Sequence, residues 1–589
     1  MRNRRGRSWK TTLTLGAVAG FGVALLPVLA SEGANISGLS EEQYIFERPL
    51  LVNGFGPEGE YIWEKITPTR NLVWYDCYSM RQCARLLVPL DYSNENGSQA
   101  AIALVRVPST YPISSPEYRG PVLLNPGGPG ASGVDMIVRS GDVAVKILGS
   151  QFDIVGFDPR GIARSTPKGE AFLTQAEREI WEADVGSLGQ EIGAVHAWAR
   201  SQILGKLASE RTSDFMKHIN TENTARDMLH ITEAHGRSKL QYWGFSYGTV
   251  LGATYASIFP DKIERLIIDG VVDAENYFTS LWSNNLRDID KTMQAFYDGC
   301  HSAGPSGCPF YSSSPASIKQ RLQALYDSVS KKPVPVVTDK SYGKVDFDRL
   351  KLTVFLSLYS PYAEFHTLAQ GLADLENGNA TAIYQVSETP TFGCHCGSKP
   401  SFSSSINEGV VFVSCTDGVP LPNDLEFSRK HYNDMSKSSR EWGRWWSVGA
   451  IRCSGWPQFK RTHFQGPFVA NTSFPILLIG NTADPVTPLW AAQKMSKGFK
   501  NSMVLIQDTP GHCSVAMPSL CTTQYIRDYF VNGSLPTIGT ICAATGSPWP
   551  RVEAEMMVQE KLSQKDWELL QASRELSRTF QVPRMLPRV

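Results

Sequence analysis

Short apolar runs of strand length alternate with helical periods along the first half of the chain. Four of these runs are rich in β-branched and aromatic residues: 101–107, 152–157, 240–245 and 263–268. A helical period that begins near residue 222 stops at Gly236, a residue type that often ends helices. Continuous apolar runs that alternate with helices are typical of a parallel sheet with both faces covered. The pattern therefore predicts an α/β fold.

The alternation of strand-like runs with helical periods stops between residues 276 and 464. Helical periods dominate there, and the loops are rich in Ser, Pro, Gly and Cys. Strand-like runs return at 475–479 and 503–506. A helical segment of this size inside a sheet domain is best interpreted as a cap. We therefore predict a large helical cap over 276–464, inserted after the sixth strand, between the two parts of the core at 84–275 and 465–550.

Two flanking segments complete the predicted organisation. An N-terminal extension over 31–83 precedes the core, and a tail over 551–589 follows it. The tail is charged and helix-prone, and its apolar residues Trp567, Leu569 and Leu570 are available to pack. The sequence assigns no function to this tail.

The charges of the chain balance, with 57 lysines and arginines against 57 aspartates and glutamates in 589 residues. A neutral chain offers no electrostatic argument for nucleic-acid binding, which needs a basic face. Hydrophobic residues make up 42% and charged residues 19%, the proportions of a globular protein. No motif indicates a cofactor.

Residues 1–30 have the three parts of a secretory signal peptide. An arginine-rich head is followed by an apolar run over 13–30, which ends in the small residues of Val28-Leu29-Ala30. An uncleaved membrane anchor is the alternative, because the run approaches the length that spans a bilayer. Gly, Ala and Pro dilute the run, so we predict cleavage, a secreted protein and no stable membrane association afterwards.

Potential glycosylation sites agree with secretion. The sequence N-x-[ST] occurs at five asparagines that would accept glycans in a eukaryotic secretory pathway: Asn35, Asn96, Asn379, Asn471 and Asn532. The eleven cysteines contain no C-x-x-C pair, which favours disulfides over a metal site. Cys394-His395-Cys396 is too tightly spaced for zinc and no matching pair follows, so no metal site is predicted. Because eleven is odd, at least one cysteine is unpaired.

The segment Gly244-Phe245-Ser246-Tyr247-Gly248 fits the G-x-S-x-G nucleophile elbow. The turn from strand to helix in this motif is so tight that side chains on both sides of the serine would collide. The strand-like run over 240–245 and the helix-like run over 249–258 provide the context that the motif requires. Ser246 is therefore the candidate nucleophile.

A serine hydroxyl needs a base to take its proton, and the base needs an acid to orient it. Asp484 follows a predicted strand within Gly480-Asn481-Thr482-Ala483-Asp484-Pro485, and His512 follows the next strand within Thr509-Pro510-Gly511-His512. Ser, then acid, then His is the chain order that accompanies the elbow motif. Asp269 and Asp273 are competing acids, since both lie just beyond the strand that follows the elbow helix.

Acyl transfer also needs donors for the oxyanion that develops on the substrate. The amide of Tyr247, directly after the nucleophile, is one candidate. The second is predicted in the glycine-rich loop at Gly127 and Gly128, where the absence of side chains lets the backbone approach a substrate. A phosphate-binding loop is the competing interpretation, but the G-x-x-x-x-G-K-[ST] pattern is absent.

Taken together, these motifs resemble the secreted tripeptidyl-aminopeptidase and prolyl-aminopeptidase group of α/β-hydrolases. The resemblance covers about residues 70–550 and includes Asp158-Pro159-Arg160-Gly161 and the segments around 83–92 and 519–542. It implies an α/β-hydrolase fold with Ser246 as nucleophile, Asp484 as orienting acid and His512 as general base. It also implies three disulfides and one candidate free thiol: Cys77–Cys83, Cys415–Cys453, Cys521–Cys542 and Cys513.

The resemblance implies the fold but leaves the kind of substrate open. Aminopeptidases of this group grip the free amino terminus of a peptide. The cap offers several carboxylates for that purpose, among them Glu364, Asp374 and Glu376, and no motif selects among them. A tryptophan cluster fits an apolar acyl pocket or ordinary cap packing equally well: Trp442, Trp445, Trp446 and Trp456. The predicted function is release of short amino-terminal peptides or residues. An esterase or lactonase acting on a small metabolite is the alternative, and a non-catalytic extracellular binding module is a third hypothesis.

Overall fold

The computed structural model describes residues 50–51, 63–183, 191–212, 214–339, 341–386, 406–549, 559–580 and 582–583. Three expectations from the sequence lie outside these residues: the signal peptide at 1–30, the sequon at Asn35 and the Cys394-His395-Cys396 triplet.

A large sheet forms the centre of the described structure. Its strands are β1 (Leu50–Leu51), β2 (Tyr75–Cys77), β3 (Arg81–Pro89), β4 (Gln99–Val107), β5 (Gly120–Asn125), β6 (Phe152–Phe157), β7 (Leu240–Phe245), β8 (Ile263–Asp269), β11 (Leu477–Ala483), β12 (Met503–Pro510) and β13 (Ile541–Ala543). A separate antiparallel hairpin contains β9 (Val334–Val337) and β10 (Tyr342–Val345). The large sheet has the order β1-β2-β3-β4-β6-β5-β7-β8-β11-β12-β13.

The strands from β6 through β5, β7, β8, β11 and β12 to β13 run parallel to one another. Antiparallel pairing is confined to the side where β2, β3, β4 and β6 meet. Every residue of β5, β6 and β7 is buried, as expected for parallel strands covered on both faces. The carboxyl ends of the parallel strands therefore share one edge of the sheet, and that edge receives the segments singled out by the motifs.

Helices cover the sheet and build the insertion. Their bounds are α1 (Gly133–Leu148), α2 (Gln175–Ala183), α3 (Glu191–Thr212), α4 (Thr221–Ala234), α5 (Tyr247–Ile258), α6 (Ala274–Phe278), α7 (Ile289–Gly307), α8 (Pro315–Lys331), α9 (Phe347–Ser357), α10 (Pro361–Glu376), α11 (Thr381–Val386), α12 (Ile406–Asp417), α13 (Leu425–Ser438), α14 (Gly443–Trp446), α15 (Val448–Ile451), α16 (Leu489–Ser496), α17 (Leu520–Asn532) and α18 (Gln564–Thr579).

The predicted insertion lies between β8 and β11 and consists of helices α6 to α15 together with the β9–β10 hairpin. In chain order it follows the eighth strand, because the short strands β1 and β2 precede those that the apolar pattern marks. These strands have two and three residues, too few to show a periodicity, so the sequence pattern does not predict them.

In the described part of the carboxyl-terminal tail, helix α18 buries Leu569 and Leu570, as its apolar spacing suggested. It lies against α1 and α17 on the outer face of the sheet. Ion pairing between Lys146 and Glu575 and a hydrogen bond from Arg578 to Tyr362 add polar contacts.

Four disulfides are formed within the described residues. Three are the pairs that the family resemblance implies: Cys77–Cys83, Cys415–Cys453 and Cys521–Cys542. The fourth, Cys300–Cys308, joins the end of α7 to the loop that follows it. Cys513 is the free cysteine of the described part and is buried.

The described sequon asparagines are all exposed: Asn96, Asn379, Asn471 and Asn532. Among the described residues, no helix has both the length and the apolar character needed to cross a membrane. The same residues contain no cluster of three or more histidine, cysteine, aspartate or glutamate side chains suited to a metal ion.

Candidate active site

Ser246 occupies the sharp turn between β7 and α5, with a backbone φ of 55° and ψ of −119°. A side chain is strained in this region, so neighbouring residues must hold the turn. The Ser246 amide donates to the Asp269 carbonyl oxygen at 3.0 Å. A Cβ on Gly244 would lie 2.5 Å from the Gly248 carbonyl oxygen, and one on Gly248 would lie 2.9 Å from the Asn125 carbonyl oxygen. The two glycines of the motif are thus required by space.

Asp484 and His512 meet at the carboxyl ends of β11 and β12. The Nδ1 atom of His512 lies 3.0 Å from Oδ2 and 3.1 Å from Oδ1 of Asp484. Both side chains are fully buried. With the Nδ1 proton donated to the carboxylate, Nε2 carries the lone pair of the ring, which is the arrangement that a general base requires.

The Asp484 carboxylate accepts hydrogen bonds from several donors besides His512. It accepts the backbone amides of Val486 and Thr487 at 2.9 and 2.7 Å through Oδ1, and the amide of Cys513 at 2.9 Å through Oδ2. Such bonds satisfy the buried charge and leave the carboxylate one orientation.

Thr487 is a site residue that the sequence analysis missed. Its hydroxyl donates to Asp484 Oδ2 at 2.7 Å, and the same oxygen lies 3.0 Å from His512 Nδ1. The hydroxyl therefore bridges the acid and the imidazole on the side of the ring away from Nε2. Its position three residues after Asp484, in Asp484-Pro485-Val486-Thr487, is a tight-turn spacing that could have indicated it.

The two competing acids have other partners. Asp269, the last residue of β8, accepts the amide and hydroxyl of Ser514 at 2.8 and 2.5 Å and the indole of Trp243 at 3.3 Å. Burial raises the pKa of the Asp269 carboxyl to about 6, with the Ser514 bonds opposing that shift. Asp273 caps α6 and pairs with Lys494 at 2.6 Å. The structure therefore brings Asp484, rather than either competitor, to the imidazole nitrogen.

The glycine-rich loop after β5 lies against the elbow. A Cβ on Gly127 would lie 2.3 Å from the Phe245 carbonyl oxygen and 3.1 Å from the Tyr247 amide nitrogen. Gly128 lines a cavity together with Ser246 and Tyr247. The two oxyanion candidates with access to this cavity are thus Gly128 and Tyr247, while Gly127 permits the close approach of the two loops.

The Asp158-Pro159-Arg160-Gly161 segment is part of the scaffold beneath this loop. Asp158 accepts the Ser132 hydroxyl at 2.5 Å and the Val134 amide at 3.1 Å, which holds the start of α1. Arg160 forms a buried ion pair with Asp227 of α4. The motif therefore secures the loop that carries Gly128 rather than facing the cavity.

The cavity beside Ser246 has a volume of about 30 Å³. Aromatic side chains provide much of its wall: Tyr277, Trp282, Tyr359 and Trp446. Of the predicted tryptophan cluster, Trp446 alone lines it; Trp442 and Trp445 pack on Phe355, and Trp456 packs on Phe412. Tyr359 also packs edge-on against the His512 ring, with the ring centres 5.1 Å apart.

A buried polar network joins the insertion to the elbow. Asp417, the last residue of α12, accepts the Thr221 amide at 2.7 Å and the hydroxyls of Thr221 and Tyr277 at 2.5 and 2.8 Å. The Thr221 hydroxyl lies 2.5 Å from the Tyr247 hydroxyl. Burial raises the pKa of the Asp417 carboxyl. Because one carboxylate organises groups from both core and insertion, it fixes how the two meet above the site.

The three cap carboxylates separate in the structure. Glu376 pairs with Arg321, and Asp374 accepts the side-chain amide of Gln370. Glu364 instead lines a cavity of about 300 Å³ between α9, α10 and α11, together with Thr353, Ser357 and Thr367. Glu364 is therefore the one of these three carboxylates that lines this cavity.

Two family models match the chain. One, described as "alpha/beta hydrolase fold", matches residues 120–369, and the other, described as "TAP-like protein", matches residues 438–542. The chain is an α/β-hydrolase. The first match contains Ser246, and the second contains Asp484 and His512, so the matched segments of this hydrolase supply the residues that meet at the sheet edge.

The relatives that match most of the chain are named as serine protease, aminopeptidase and carboxylesterase. Serine protease Hip1 of Mycobacterium tuberculosis is 27% identical over 473 residues, covering 78% of the hydrolase and 87% of the relative. Tripeptidyl aminopeptidase of Streptomyces lividans is 26% identical over 497 residues, covering 81% and 87%. Carboxylesterase B of Mycobacterium tuberculosis is 27% identical over 475 residues, covering 78% and 86%. The hydrolase is a serine hydrolase, and the resemblance drawn from its motifs is confirmed.

Proposed function

We propose that this serine hydrolase is a secreted aminopeptidase that releases short amino-terminal peptides or residues through an acyl-enzyme on Ser246. The observation that carries the proposal is the buried Asp484–His512 pair beside the nucleophile elbow, with Nδ1 of the ring held at 3.0 Å from the carboxylate. A histidine held in this way serves as general base to an adjacent serine.

The proposed reaction has two halves. In the first, Ser246 Oγ bonds to the carbonyl carbon of the scissile amide while its proton passes to His512 Nε2. The carbonyl oxygen takes the negative charge, which the amides of Gly128 and Tyr247 stabilise. The C–N bond then breaks as the leaving nitrogen takes the proton from Nε2.

In the second half, water replaces the leaving amine. His512 Nε2 takes a proton from the water as its oxygen bonds to the acyl carbon, and the proton then returns to Ser246 Oγ as the ester bond breaks. Asp484 stays ionised throughout and stabilises the imidazolium that forms in each half. Thr487 supports the same orientation of the ring from the side of Nδ1.

A peptide substrate is favoured by the relatives named as a serine protease and a tripeptidyl aminopeptidase. Glu364, in its cavity of about 300 Å³, is our candidate for the group that binds a free α-amino terminus. An esterase remains the second candidate function, because a relative of equal identity is named as a carboxylesterase. Secretion is supported by four disulfides and by exposed asparagines in the described sequons.

The test is a paired assay of the protein and its Ser246→Ala variant. Each is offered peptides with free and with blocked amino termini, and simple esters. We expect wild type to cleave the free-amino peptides and the alanine variant to lose about 10³-fold or more of kcat. Ester cleavage alone would move the function to small-molecule hydrolysis, and equal rates in both proteins would refute catalysis by Ser246.

The Glu364→Gln variant then tests the amino-terminus hypothesis. Removing the charge at constant shape should raise KM for free-amino peptides and leave blocked substrates and esters unaffected. An equal change for both classes would show that Glu364 acts on the fold of the insertion instead.

A further inference from the structure

Pro583, the last residue that the structure describes, reaches the catalytic cavity. Pro583 lines the same cavity of about 30 Å³ as Ser246 and Gly128. It arrives there from α18, which ends at Thr579, and the intervening Phe580 packs against Phe245, with ring centres 5.2 Å apart. Phe245 immediately precedes the nucleophile, so the tail passes the elbow before it reaches the cavity.

The approach of the tail is held by the burial of two apolar side chains. Phe580 is 6% exposed and Val582 is 3% exposed. Both belong to the apolar cluster on the α1 face of the sheet, which also contains Trp243, Phe245 and Cys513. Burying apolar side chains of this size stabilises the packed position of the segment that carries them. The position of Pro583 is therefore set by packing of the residues before it.

The volume of the cavity limits what it can hold. The volume of about 30 Å³ is far below the roughly 300–1,000 Å³ of pockets that hold ligands of drug size. A glycyl or alanyl acyl group carries at most a methyl side chain, whereas a leucyl or phenylalanyl acyl group carries a much larger one. One of the residues that line the cavity must be displaced or replaced before a large side chain can enter.

The walls differ in how they are held. Tyr277 donates to the buried Asp417, and the Trp446 indole donates to the Trp282 carbonyl oxygen at 3.1 Å. These residues belong to the packed interior of the insertion, and changing them disturbs its core. Pro583 lies beyond the last helix, within neither a helix nor a strand. It is thus the wall that can be altered with the least effect on folding.

We propose that Pro583 is a specificity-determining residue, which closes the catalytic cavity and limits the size of the acyl group that Ser246 accepts. This inference rests on the proposed function, because it assigns the cavity to the acyl side of that reaction. It gives the carboxyl-terminal tail a role in substrate selection by the serine hydrolase.

The experiment compares wild type, Pro583→Gly and a chain that ends at Phe580. Substrates are p-nitroanilides of alanine, leucine and phenylalanine and p-nitrophenyl esters of acetate, butyrate and hexanoate. We expect the ratio of kcat/KM for large over small acyl groups to rise at least about tenfold in both variants, because methylene-sized differences in an apolar pocket change kcat/KM by about 10–200-fold. Pro116→Gly is the matched control, since Pro116 is exposed near the amino end of β5, the opposite edge of the sheet.

Labelling of Ser246 with a fluorophosphonate separates the two possible failures. Absence of labelling in wild type and variants would refute the proposed function itself. Labelling with an unchanged acyl preference would overturn the role of Pro583, and so would an equal rise for every acyl size. Should the shortened chain fail to fold, by its melting curve, the Pro583→Gly result decides alone.

Discussion

Strands β8 and β11 lie side by side in the sheet, and each delivers a fully buried carboxylate to the same edge. Asp484, directly after β11, receives the His512 ring, the Thr487 hydroxyl and three backbone amides. Asp269, the last residue of β8, receives the amide and hydroxyl of Ser514 and an indole. Both carboxylates therefore bind the loop that carries the histidine: Asp484 binds the His512 ring, and Asp269 binds the Ser514 backbone amide.

The difference shows that burial at a strand end does not make a carboxylate the partner of the histidine. Asp269 connects two loops: its backbone oxygen accepts the Ser246 amide at 3.0 Å while its side chain holds Ser514. Asp484 lies where the ring itself arrives. We infer that Asp269 is a positioning residue and that Asp484 orients the base.

The strongest test of this comparison is Asp484→Asn beside the matched Asp269→Asn. An asparagine at 484 favours the wrong tautomer of the ring, so we expect kcat to fall by about 10³-fold or more. The same change at 269 should cost about tenfold or less. Steady-state kinetics with one substrate measures both, and melting curves control for folding. Equal losses, or the larger loss at 269, would reverse the two assignments.

Thr487→Val tests the hydroxyl that contacts both Asp484 and His512, and its expected effect on activity is smaller than that of Asp484→Asn. The change keeps the shape and removes a hydroxyl that contacts both Asp484 and His512. A hydrogen bond to a charged group contributes about 1.5–3 kcal/mol, so kcat/KM should fall by about 10–100-fold. Thr487→Ser retains the hydroxyl and should restore most of the activity. Equal activity in the serine and valine variants would show that the hydroxyl does not act through the ring.

The smallest expected effect is on stability, through the raised pKa of Asp269. Its pKa of about 6 in the folded protein exceeds the ordinary value of 3.8, so between these values the folded state binds a proton that the unfolded state releases. The stabilisation from this carboxyl is thus full below about pH 4 and is lost as pH rises through 6. It amounts to at most a few kcal/mol.

Denaturant unfolding of wild type and Asp269→Asn at a series of pH values measures this effect. The free energy of unfolding of wild type minus that of the variant should decrease from about pH 4 to pH 7. Taking the difference removes the other titrating groups that both proteins share. A difference that stays flat or increases with pH would contradict the raised pKa of the buried Asp269 carboxyl.

Much of this edge could be predicted from the chain alone. The elbow glycines, the strand before Ser246 and the order of acid and histidine are local patterns, and the structure places each predicted residue at the end of a neighbouring parallel strand. The choice between Asp269 and Asp484 could not be decided in the same way. Both follow strands of one sheet, so strand order and loop path determine which carboxylate the ring meets.

Local sterics and periodicity let the sequence by itself determine the α/β fold, the nucleophile turn and the helical insertion, because each depends on residues close together in the chain. The tertiary structure alone decided that the Thr487 hydroxyl also contacts His512, that Trp446 lines the cavity while Trp442 packs on Phe355, and that Pro583 lines the cavity with Ser246. These contacts join residues from separate segments, and such contacts form only when packing of the whole core brings their segments together.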